Sequence, residues 1–459
     1  MKTLSAVTTI DPSTGEPIEH ITRTDRAQID AAVQAAHERF GHWGRAGIDL
    51  RSELFSRIAS TLRAQKEPLA RIAVREMGKP IVQARAEVEK CATCCDYFAQ
   101  HAGIMLADLP MESNAQKSYA AFRPLGVVLA IMPWNFPYWQ VFRAAVPALM
   151  AGNTMLLKHA ENTTRCALEI ERIFKEAGAP DGLFRTLVIG HDDANSLIGD
   201  ERVIGATLTG SERAGVAIGS AAGSHLKKTV LELGGSDAFI VLADADVDAA
   251  AKRAVTGRFQ NNGQSCIAAK RFIIESPVYD RFVQRFAELA AAQKLGNPME
   301  DSTELGPVAR ADLMKNLHEQ VRATIDAGAT PVLGGRPIDR PGNYYQATIV
   351  GDVVPGMRMF DEETFGPAAA VIRAKDEQEA VALANRSSYG LGCSIHTKDL
   401  AKAQELARDI EAGMVFVNGI VASDPRLPFG GVKRSGHGRE LSHFGIHEFA
   451  NVQTVWVAP

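Results

Sequence analysis

A single cysteine in an unusually polar stretch is the first candidate for chemistry in this sequence. Residues 259–266 read F-Q-N-N-G-Q-S-C, so Cys266 follows a glycine-softened turn and not an aliphatic run. A free thiol titrates near pH 8.5, so it acts as a nucleophile only where positive potential or backbone donors stabilise its thiolate. Most lone cysteines fill a core, but these polar neighbours favour a nucleophilic role. No histidine motif accompanies the thiol, so a Cys-His hydrolase is poorly supported.

Two further side chains have the surroundings that such a nucleophile needs. Glu232 ends an apolar strand just before Gly234 and Gly235, where burial raises a carboxyl pKa and favours a general base acting on water. Asn135 lies between two prolines in P-W-N-F-P, and a rigidly held amide is a suitable oxyanion donor. The competing interpretations are a surface glutamate and an ordinary turn asparagine.

A glycine turn supplies a candidate nucleotide site. Residues 209–215 read T-G-S-E-R-A-G and lead from a predicted strand into a predicted helix, whose N-terminus can bind a pyrophosphate. Lys158 and Glu161 follow an earlier strand and are placed to hydrogen-bond ribose hydroxyls. The sequence lacks G-x-G-x-x-G, so this signal is weak by itself.

Alternating strands and helices must position these groups. Apolar strands without in-out alternation, separated by helices, indicate parallel sheets covered on both faces, which predicts a doubly wound α/β fold. The first predicted set has strands at 127–132, 154–157, 184–189, 203–208 and 229–233, with helices at 139–149, 163–177 and 213–223. The second has strands at 238–242, 271–275 and 414–417, with helices at 246–259, 277–291 and 312–327. Residues near 119 and at 452–457 are predicted as strands that pair between subunits or within one.

Composition narrows the class of protein. A chain of 459 residues predicts two or three structural units, and a net charge of -4 without a basic face argues against nucleic acid and anionic membranes as partners. Residues 1–10 lack the features of a signal peptide, and no apolar run is long enough to span a bilayer, so we expect a cytoplasmic protein. Six cysteines in so long a chain predict reduced thiols. Cys91 and Cys94 have metal-knuckle spacing but no second pair, so we expect core packing and no metal.

Taken together, these motifs resemble the aldehyde dehydrogenase superfamily over nearly the whole chain. Residues 259–266 resemble its F-x-N-x-G-Q-x-C, and the other matching motifs are L-E-L-G-G at 231–235, P-W-N-F-P at 133–137, E-x-F-G-P at 363–367 and P-F-G-G at 428–431. All five stand in the family's order. Within the family, residues 132–137 and 436–449 are most similar to bacterial, NAD-preferring succinate semialdehyde dehydrogenases.

The resemblance implies an architecture and an assembly. It implies two doubly wound α/β domains, one Rossmann-like for the cofactor and one catalytic, plus a small β oligomerisation flap. The NAD-binding domain would comprise 1–106 and 124–234, the catalytic domain 235–436, and the oligomerisation strands 107–123 and 445–459. A homodimer or homotetramer would follow.

The resemblance also assigns chemical roles. Cys266 adds to the carbonyl of a small-molecule aldehyde, and the Asn135 amide and the Cys266 backbone N–H hold the oxyanion. Hydride then passes from the thiohemiacetal to the nicotinamide, which leaves a thioester, and Glu232 activates the water that releases the carboxylic acid. With no histidine beside it, the thiol is expected to be activated by backbone dipoles and the bound cofactor.

Cofactor contacts are implied residue by residue. They are Met132, Trp134, Lys158, Glu161, Gly210, Ser211, Leu233, Glu363 and Phe365. Glu161 would repel a 2′-phosphate, which favours NAD over NADP, although Arg213 nearby partly offsets that repulsion. The family's K-P-[SA]-E is K-H-A-E at 158–161 here, and Glu212 stands where threonine is common.

Succinate semialdehyde is the substrate that the resemblance implies. Arg143 matches the carboxylate-binding arginine of those enzymes, and Ser423 and Arg426 precede the P-F-G-G motif. A guanidinium suits the distal carboxylate of a short oxo acid, whereas a helix-surface ion pair is the structural alternative for Arg143. Gln260 replaces a second arginine found in some relatives, which predicts a less cationic pocket and a broader range.

Three alternatives stay open at this point. The first is a broad-range dehydrogenase of uncharged aliphatic or aromatic aldehydes. The second is an ester or thioester hydrolase that uses Cys266 and Glu232 without redox chemistry. The third is a non-catalytic use of the scaffold, which the presence of Cys266, Glu232 and Asn135 disfavours.

Overall fold

The computed structural model describes residues 6–459. Its strands are, in chain order, β1 (Ala6–Ile10), β2 (Pro17–Thr22), β3 (Leu109–Pro110), β4 (Lys117–Pro124), β5 (Val127–Met132), β6 (Thr154–His159), β7 (Phe184–Thr186), β8 (Val203–Thr209), β9 (Lys228–Glu232), β10 (Asp237–Val241), β11 (Ala269–Glu275), β12 (Thr330–Leu333), β13 (Thr348–Gly351), β14 (Ala368–Ala374), β15 (Tyr389–Gly390), β16 (Gly392–His396), β17 (Met414–Val417), β18 (Val432–Lys433), β19 (Gly436–His437) and β20 (Ala450–Val457).

The helices lie between these strands. They are α1 (Arg26–Trp43), α2 (Ile48–Ala64), α3 (Lys66–Met77), α4 (Ile81–Met105), α5 (Trp139–Met150), α6 (Thr164–Glu176), α7 (His191–Gly199), α8 (Glu212–Ser224), α9 (Val247–Phe259), α10 (Tyr279–Ala291), α11 (Ala311–Asp326), α12 (Arg358–Asp361), α13 (Glu377–Asn385), α14 (Leu400–Leu406) and α15 (Ser442–His447). Short 3-10 helices occupy Glu161–Thr163, Gln260–Gly263 and Ser276–Val278.

The first large sheet has the strand order β19-β9-β8-β5-β6-β7. Strands β5 to β9 are parallel, and β19 adds an antiparallel edge. Alternate residues of β5 enter different hydrophobic clusters: Val128 and Ala130 pack with α2, α4 and α5, whereas Val127 and Leu129 pack with α1 and α7. Burial on both faces explains why β5 reads as an unbroken apolar run.

The second large sheet has the strand order β12-β13-β14-β11-β10-β16-β17. All its pairs are parallel except β12 with β13. Residues of β10 again alternate between two clusters, with Ala238 and Ile240 on one side and Phe239 and Val241 on the other. Both large sheets are therefore covered on both faces, and the predicted α/β fold class is confirmed.

A smaller sheet has the order β20-β4-β3. The C-terminal strand, which has no partner near it in sequence, pairs antiparallel with the segment around Tyr119 within one chain. Its outer positions include Val452, 60 % exposed, and Trp456, 50 % exposed. An edge strand with exposed apolar side chains suits pairing between chains, so the oligomerisation role of this sheet and the proposed domain boundaries stay predictions.

Several elements were not predicted from sequence. Strands β13, β14 and β16 complete the second sheet, and β14 reads A-A-A-V-I-R-A, which is as typical of a helix as of a strand. The elements that were not predicted also include the hairpin β1-β2, which encloses a turn at 11–15, and helix α3, which ends just before the break at 78–80 that precedes α4. Among the described residues, no helix is both long and apolar enough to cross a bilayer.

The cysteines of α4 lie in the core. Cys91, Cys94 and Cys95 are fully buried together with Val88 and Phe98, which agrees with the core packing expected of Cys91 and Cys94. All six cysteines are free thiols. Across residues 6–459, no cluster of three or more His, Cys, Asp or Glu side chains is arranged to hold a metal ion.

Candidate active site

Cys266 follows α9 and a short 3-10 helix and precedes β11. The turn that presents it has three successive residues in the left-handed region, Asn261 at φ 56°, Asn262 at φ 58° and Gly263 at φ 72°. Asparagine and glycine are the residues that adopt this conformation at least cost, which explains the N-N-G of the motif. A Cβ on Gly263 would collide with the Gly366 carbonyl.

Buried hydrogen bonds hold this turn rigid, which corrects the expectation of a soft approach to the thiol. The amide of Asn262 donates to the Gly78 and Pro307 carbonyls, at 2.9 Å each. Gln264 Oε1 accepts from the Ala309 backbone N–H at 2.9 Å. These side chains are completely buried, so their polar groups bond within the protein and fix the conformation of the loop.

Asn135 lies directly against the nucleophile loop. Its Nδ2 donates to the Gln264 carbonyl at 3.1 Å, and the Asn261 amide donates to the Asn135 carbonyl at 2.8 Å. The side chain is 4 % exposed. The structure therefore brings the predicted oxyanion donor and the loop of the predicted nucleophile together, while the oxyanion role itself stays a prediction.

The P-W-N-F-P loop is fixed from behind by a buried carboxylate that sequence reasoning missed. Glu87 of α4 accepts from the backbone N–H groups of Tyr138 and Trp139, at 2.8 and 2.9 Å, and forms a buried ion pair with Lys79. These N–H groups belong to the start of α5, where donors lack partners within the helix and the helix dipole favours a negative charge. Glu87 thereby positions the segment that carries Asn135.

Lys270 is a second functional candidate that the sequence did not reveal. Its Nζ is completely buried and donates to the Ser265 carbonyl at 2.8 Å and to the Cys266 carbonyl. Burial raises the pKa of the Cys266 thiol to about 11, and the positive charges of Arg143 and Lys270 oppose that rise. Strand β11 reads A-K-R-F-I-I-E and is buried along its whole length, so a charged residue within it is a signal, which Lys270 shares with Arg271 and Glu275.

Glu232 ends β9 and is 2 % exposed. Within the described residues, neither of its carboxylate oxygens has a hydrogen-bond partner. Burial raises its pKa well above the usual range, and the nearby charge of Glu440 adds to the rise. The carboxylate faces Gly430, where a Cβ would lie 2.7 Å from Oε1, and it does not line the cavity at Cys266. A role as the base therefore requires this side chain to turn towards the thiol.

A cavity of about 170 Å³ leads to Cys266. Its walls come from α4, α5, the Cys266 loop and the segment 420–423. Phe136, Trp139, Ile420 and Phe429 supply apolar surface, and the cavity is small compared with the roughly 300 to 1,000 Å³ of drug-sized sites. It therefore suits a short substrate.

Arg143 and Ser423 both line this cavity, as does Gln260. Arg143 is almost completely buried, however, and its Nε pairs with Glu440 while its Nη2 donates to Thr209 at 3.2 Å. Its guanidinium also lies 4.1 Å from the centre of the Phe429 ring. The charge of Arg143 is thus compensated inside the protein, by a buried partner and not by the surface ion pair considered from sequence. Its role as a substrate ligand stays a prediction.

Arg426 does not reach the cavity. Its side chain is 73 % exposed and pairs with Asp424, two residues earlier in the same loop, at 2.6 Å. The short local ion pair holds the guanidinium on the surface, so the structure does not bring this predicted substrate residue to Cys266.

The residues predicted for the nicotinamide lie together. Trp134 and Phe365 pack edge to face with ring centroids 5.6 Å apart. Glu363 Oε1 accepts from the Gly235 backbone N–H at 2.9 Å and lies 3.6 Å from Lys270 Nζ. Met132 and Leu233 are buried at the ends of β5 and β9. Trp134, Glu363 and Phe365 make up the proposed nicotinamide wall, and Lys270 connects Glu363 to the Cys266 carbonyl. The cofactor roles of all five residues stay predictions.

The residues predicted for the other end of the cofactor also fit a nucleotide. Lys158 and Glu161 line one cavity of about 640 Å³ at the end of β6. Ser211 caps α8 directly after Gly210 and leaves an exposed helix N-terminus at the end of β8. Such a terminus favours a phosphate group. Glu161 is not free, because Arg23 Nη2 donates to its carboxylate at 2.6 Å.

Comparison with known proteins agrees with this geometry. Residues 2–455 match the Aldehyde dehydrogenase family. The chain is 51 % identical to the succinate semialdehyde dehydrogenase [NAD(P)+] Sad of Escherichia coli K12, over 97 % of each chain. It is 48 % identical to a probable succinate-semialdehyde dehydrogenase [NADP(+)] of Synechocystis sp., over 99 % of this chain and all of that one.

Solved structures show the same fold. The succinic semialdehyde dehydrogenase of Streptococcus pyogenes, determined in complex with NADP+, matches 99 % of this chain and 100 % of its own with a TM-score of 0.97 and 38 % identity. The family match spans nearly the whole chain, two relatives share about half of its residues, and the solved structure has the same fold. The chain belongs to the aldehyde dehydrogenase family of oxidoreductases.

Proposed function

We propose that this protein oxidises succinate semialdehyde to succinate with NAD(P) through a thioester on Cys266. The observation that carries the proposal is the small cavity in which Cys266 shares its walls with polar and cationic side chains. The similarity to succinate semialdehyde dehydrogenases over nearly the whole chain supports the same substrate.

The residues of this chain divide the chemistry between them. Cys266 adds to the aldehyde carbon, and the Asn135 amide and the Cys266 backbone N–H hold the oxyanion. NAD(P), when bound, supplies the hydride acceptor. Glu232, turned towards the resulting thioester, removes a proton from the attacking water, so succinate leaves and the thiol is restored.

Either nicotinamide cofactor fits this proposal, with NAD preferred. Trp134, Glu363 and Phe365 would hold the nicotinamide end, and Lys158 and Ser211 the ribose and phosphate end. Glu161 disfavours a 2′-phosphate, but its pairing with Arg23 weakens this discrimination. Relatives are named for NAD(P)+ or for NADP(+), so their names favour NADP as an acceptor too and give no support to the preference for NAD.

A substrate panel tests the proposal. Succinate semialdehyde and butanal are assayed with NAD and with NADP in parallel, by the absorbance of the reduced cofactor. We expect kcat/KM for succinate semialdehyde to exceed that for butanal by roughly a hundredfold or more, because the two differ in a charged group that the site must bind. Equal values would indicate the broad-range dehydrogenase, and ester turnover indifferent to NAD would indicate the hydrolase.

A further inference from the structure

The geometry points to Lys90 as the residue that recognises the distal carboxylate of the substrate and sets the preference for ω-oxo acids. This inference rests on the proposed function and names a residue that the sequence motifs do not mark. Lys90 lies in α4, on the polar stripe that also carries Gln83 and Glu87. Spacings of three, four and seven residues place these side chains on one helical face, and all three line the cavity at Cys266.

Lys90 is the cation of this cavity whose charge has no partner. Among the residues that the structure describes, no carboxylate lies within ion-pair distance of Lys90. Glu87 is already engaged by Lys79 and by two backbone N–H groups. Arg143, the other cation of the cavity, is paired with Glu440. The uncompensated positive charge that a substrate carboxylate meets in this cavity is therefore that of Lys90.

The surroundings of Lys90 fix its ammonium group in place. Its Nζ donates to Ser423 Oγ at 2.7 Å and lies 4.4 Å from the centre of the Trp139 ring. The Trp139 indole N–H also donates to Ser423 Oγ, at 3.0 Å. Because Ser423 Oγ accepts from two donors, its own proton is left to donate to a further acceptor.

Lys90 and Ser423 together form a carboxylate site. An ammonium and a hydroxyl proton on the same wall match the two oxygens of a carboxylate, and hydrogen bonds that involve charged groups are about twice as strong as neutral ones. The electrostatics agree: burial and the charge of Arg143 lower the pKa of Lys90 to about 8, so the ammonium form predominates at neutral pH. Asp424 nearby is paired with Arg426 and does not compete.

Substitutions at Lys90 test the inference. Lys90→Met keeps the length of the side chain and removes its charge, whereas Lys90→Arg keeps the charge. For Lys90→Met we expect kcat/KM for succinate semialdehyde to fall roughly tenfold to a hundredfold, mainly through KM, and far more than for butanal. Lys90→Arg should recover most of the loss. Lys315→Met, at an 80 % exposed side chain on α11, is the control.

Inhibition by succinate gives a second readout that does not depend on turnover. The inhibition constant of succinate against the aldehyde should rise in Lys90→Met by a similar factor and recover in Lys90→Arg. Thermal melting identifies a variant that fails to fold. In that case Lys90→Gln, which keeps a polar end without charge, takes its place in both assays.

The outcomes separate this inference from the proposed function. A wild-type enzyme that prefers succinate semialdehyde, with a Lys90→Met variant that keeps the full preference, overturns the role of Lys90 alone. Equal losses for both aldehydes make Lys90 structural and also overturn the inference. A wild-type enzyme that treats the two aldehydes alike overturns the proposed function and this inference with it.

Discussion

At the scale of single residues, Cys266 is the proposed nucleophile, so the protonation state of its thiol would decide the chemistry. It lies in a buried environment that disfavours the thiolate, and no histidine is among the residues that line its cavity. The nearby cations are Lys270, which contacts the carbonyl of Cys266 itself, and Arg143. Lys270 therefore has two effects: its hydrogen bonds orient the Cys266 loop, and its positive charge favours the thiolate form of Cys266.

Replacing Lys270 with methionine tests this dual role. The pKa of Cys266 should rise further, because a positive charge that lowers it is lost, and alkylation by iodoacetamide should slow by about tenfold at a given pH. In the wild type the alkylation rate should still be rising with pH at about pH 9, since the thiol pKa is about 11. Lys252→Met, at an exposed position of α9, is the control. Unchanged alkylation in Lys270→Met would show that Lys270 serves the fold only.

The ion pair between Arg23 and Glu161 leads to a prediction about cofactor choice. Arg23→Gln frees the charge of Glu161, so kcat/KM with NADP should fall relative to that with NAD by about twofold to fivefold, the effect of a partly exposed pair. Glu161→Gln should shift the ratio the opposite way. If both variants leave the ratio unchanged, the 2′-phosphate does not approach this pair.

At the scale of elements, the conformation of the turn between α9 and β11 depends directly on residue type, because Gly263 in it has a positive φ. Gly263→Ala places a methyl group on a residue with positive φ and also brings that methyl group against the Gly366 carbonyl. Gly328→Ala has only the backbone strain of a positive φ, because nothing lies within 4 Å of its Cβ. We expect Gly328→Ala to cost about 1 to 2 kcal/mol. Gly263→Ala should lower the melting temperature more and abolish aldehyde oxidation. Equal effects on melting temperature would mean that the turn adapts.

Elements whose residues are buried in a regular local pattern can be predicted from the sequence. Strand β5 and helix α5 were predicted within one residue of their observed bounds, because continuous burial and an apolar helix leave a direct pattern. The motifs also bring Asn135 to the Cys266 loop and Trp134 to Phe365, as the family resemblance implies.

Other features depend on distant contacts and leave no local pattern. The alanine-rich β14 becomes a strand only because β11 and β13 flank it. Lys90 acquires its role from Ser423, which is 333 positions away in the chain, and Arg426 loses its predicted role to a neighbour two residues away. Compensation of Arg143 by Glu440 likewise requires the folded core.

At the scale of the whole molecule, the sheet β20-β4-β3 has β20 as an outer strand, and apolar side chains of β20 are exposed. We expect the wild type to sediment as a multiple of its 49.5 kDa chain mass. The double variant Val452→Lys, Trp456→Lys should sediment at a smaller mass, since charges on an edge strand oppose pairing. Light scattering checks the masses. A monomeric wild type, or a double variant with unchanged mass, would contradict the proposed oligomerisation role.

Buried hydrogen bonds connect the segments that form the candidate site. Arg258, completely buried at the end of α9, donates to the carbonyls of Gly263, Thr364 and Gly366 and so joins the nucleophile loop to the segment of Glu363 and Phe365. The thiol and the proposed nicotinamide wall are thus held by one set of hydrogen bonds. The central claim of the proposed function is that Cys266, held in this arrangement, carries the acyl group during turnover.

One measurement tests that claim most directly. The Glu232→Gln variant is mixed with succinate semialdehyde and NAD, and intact and peptide masses are determined after rapid acid quench. We predict a burst of about one equivalent of NADH and one succinyl group on the peptide that contains Cys266, because the thioester forms but its hydrolysis lacks a base. Sustained NADH formation at the wild-type rate with no acyl group on Cys266 would contradict it.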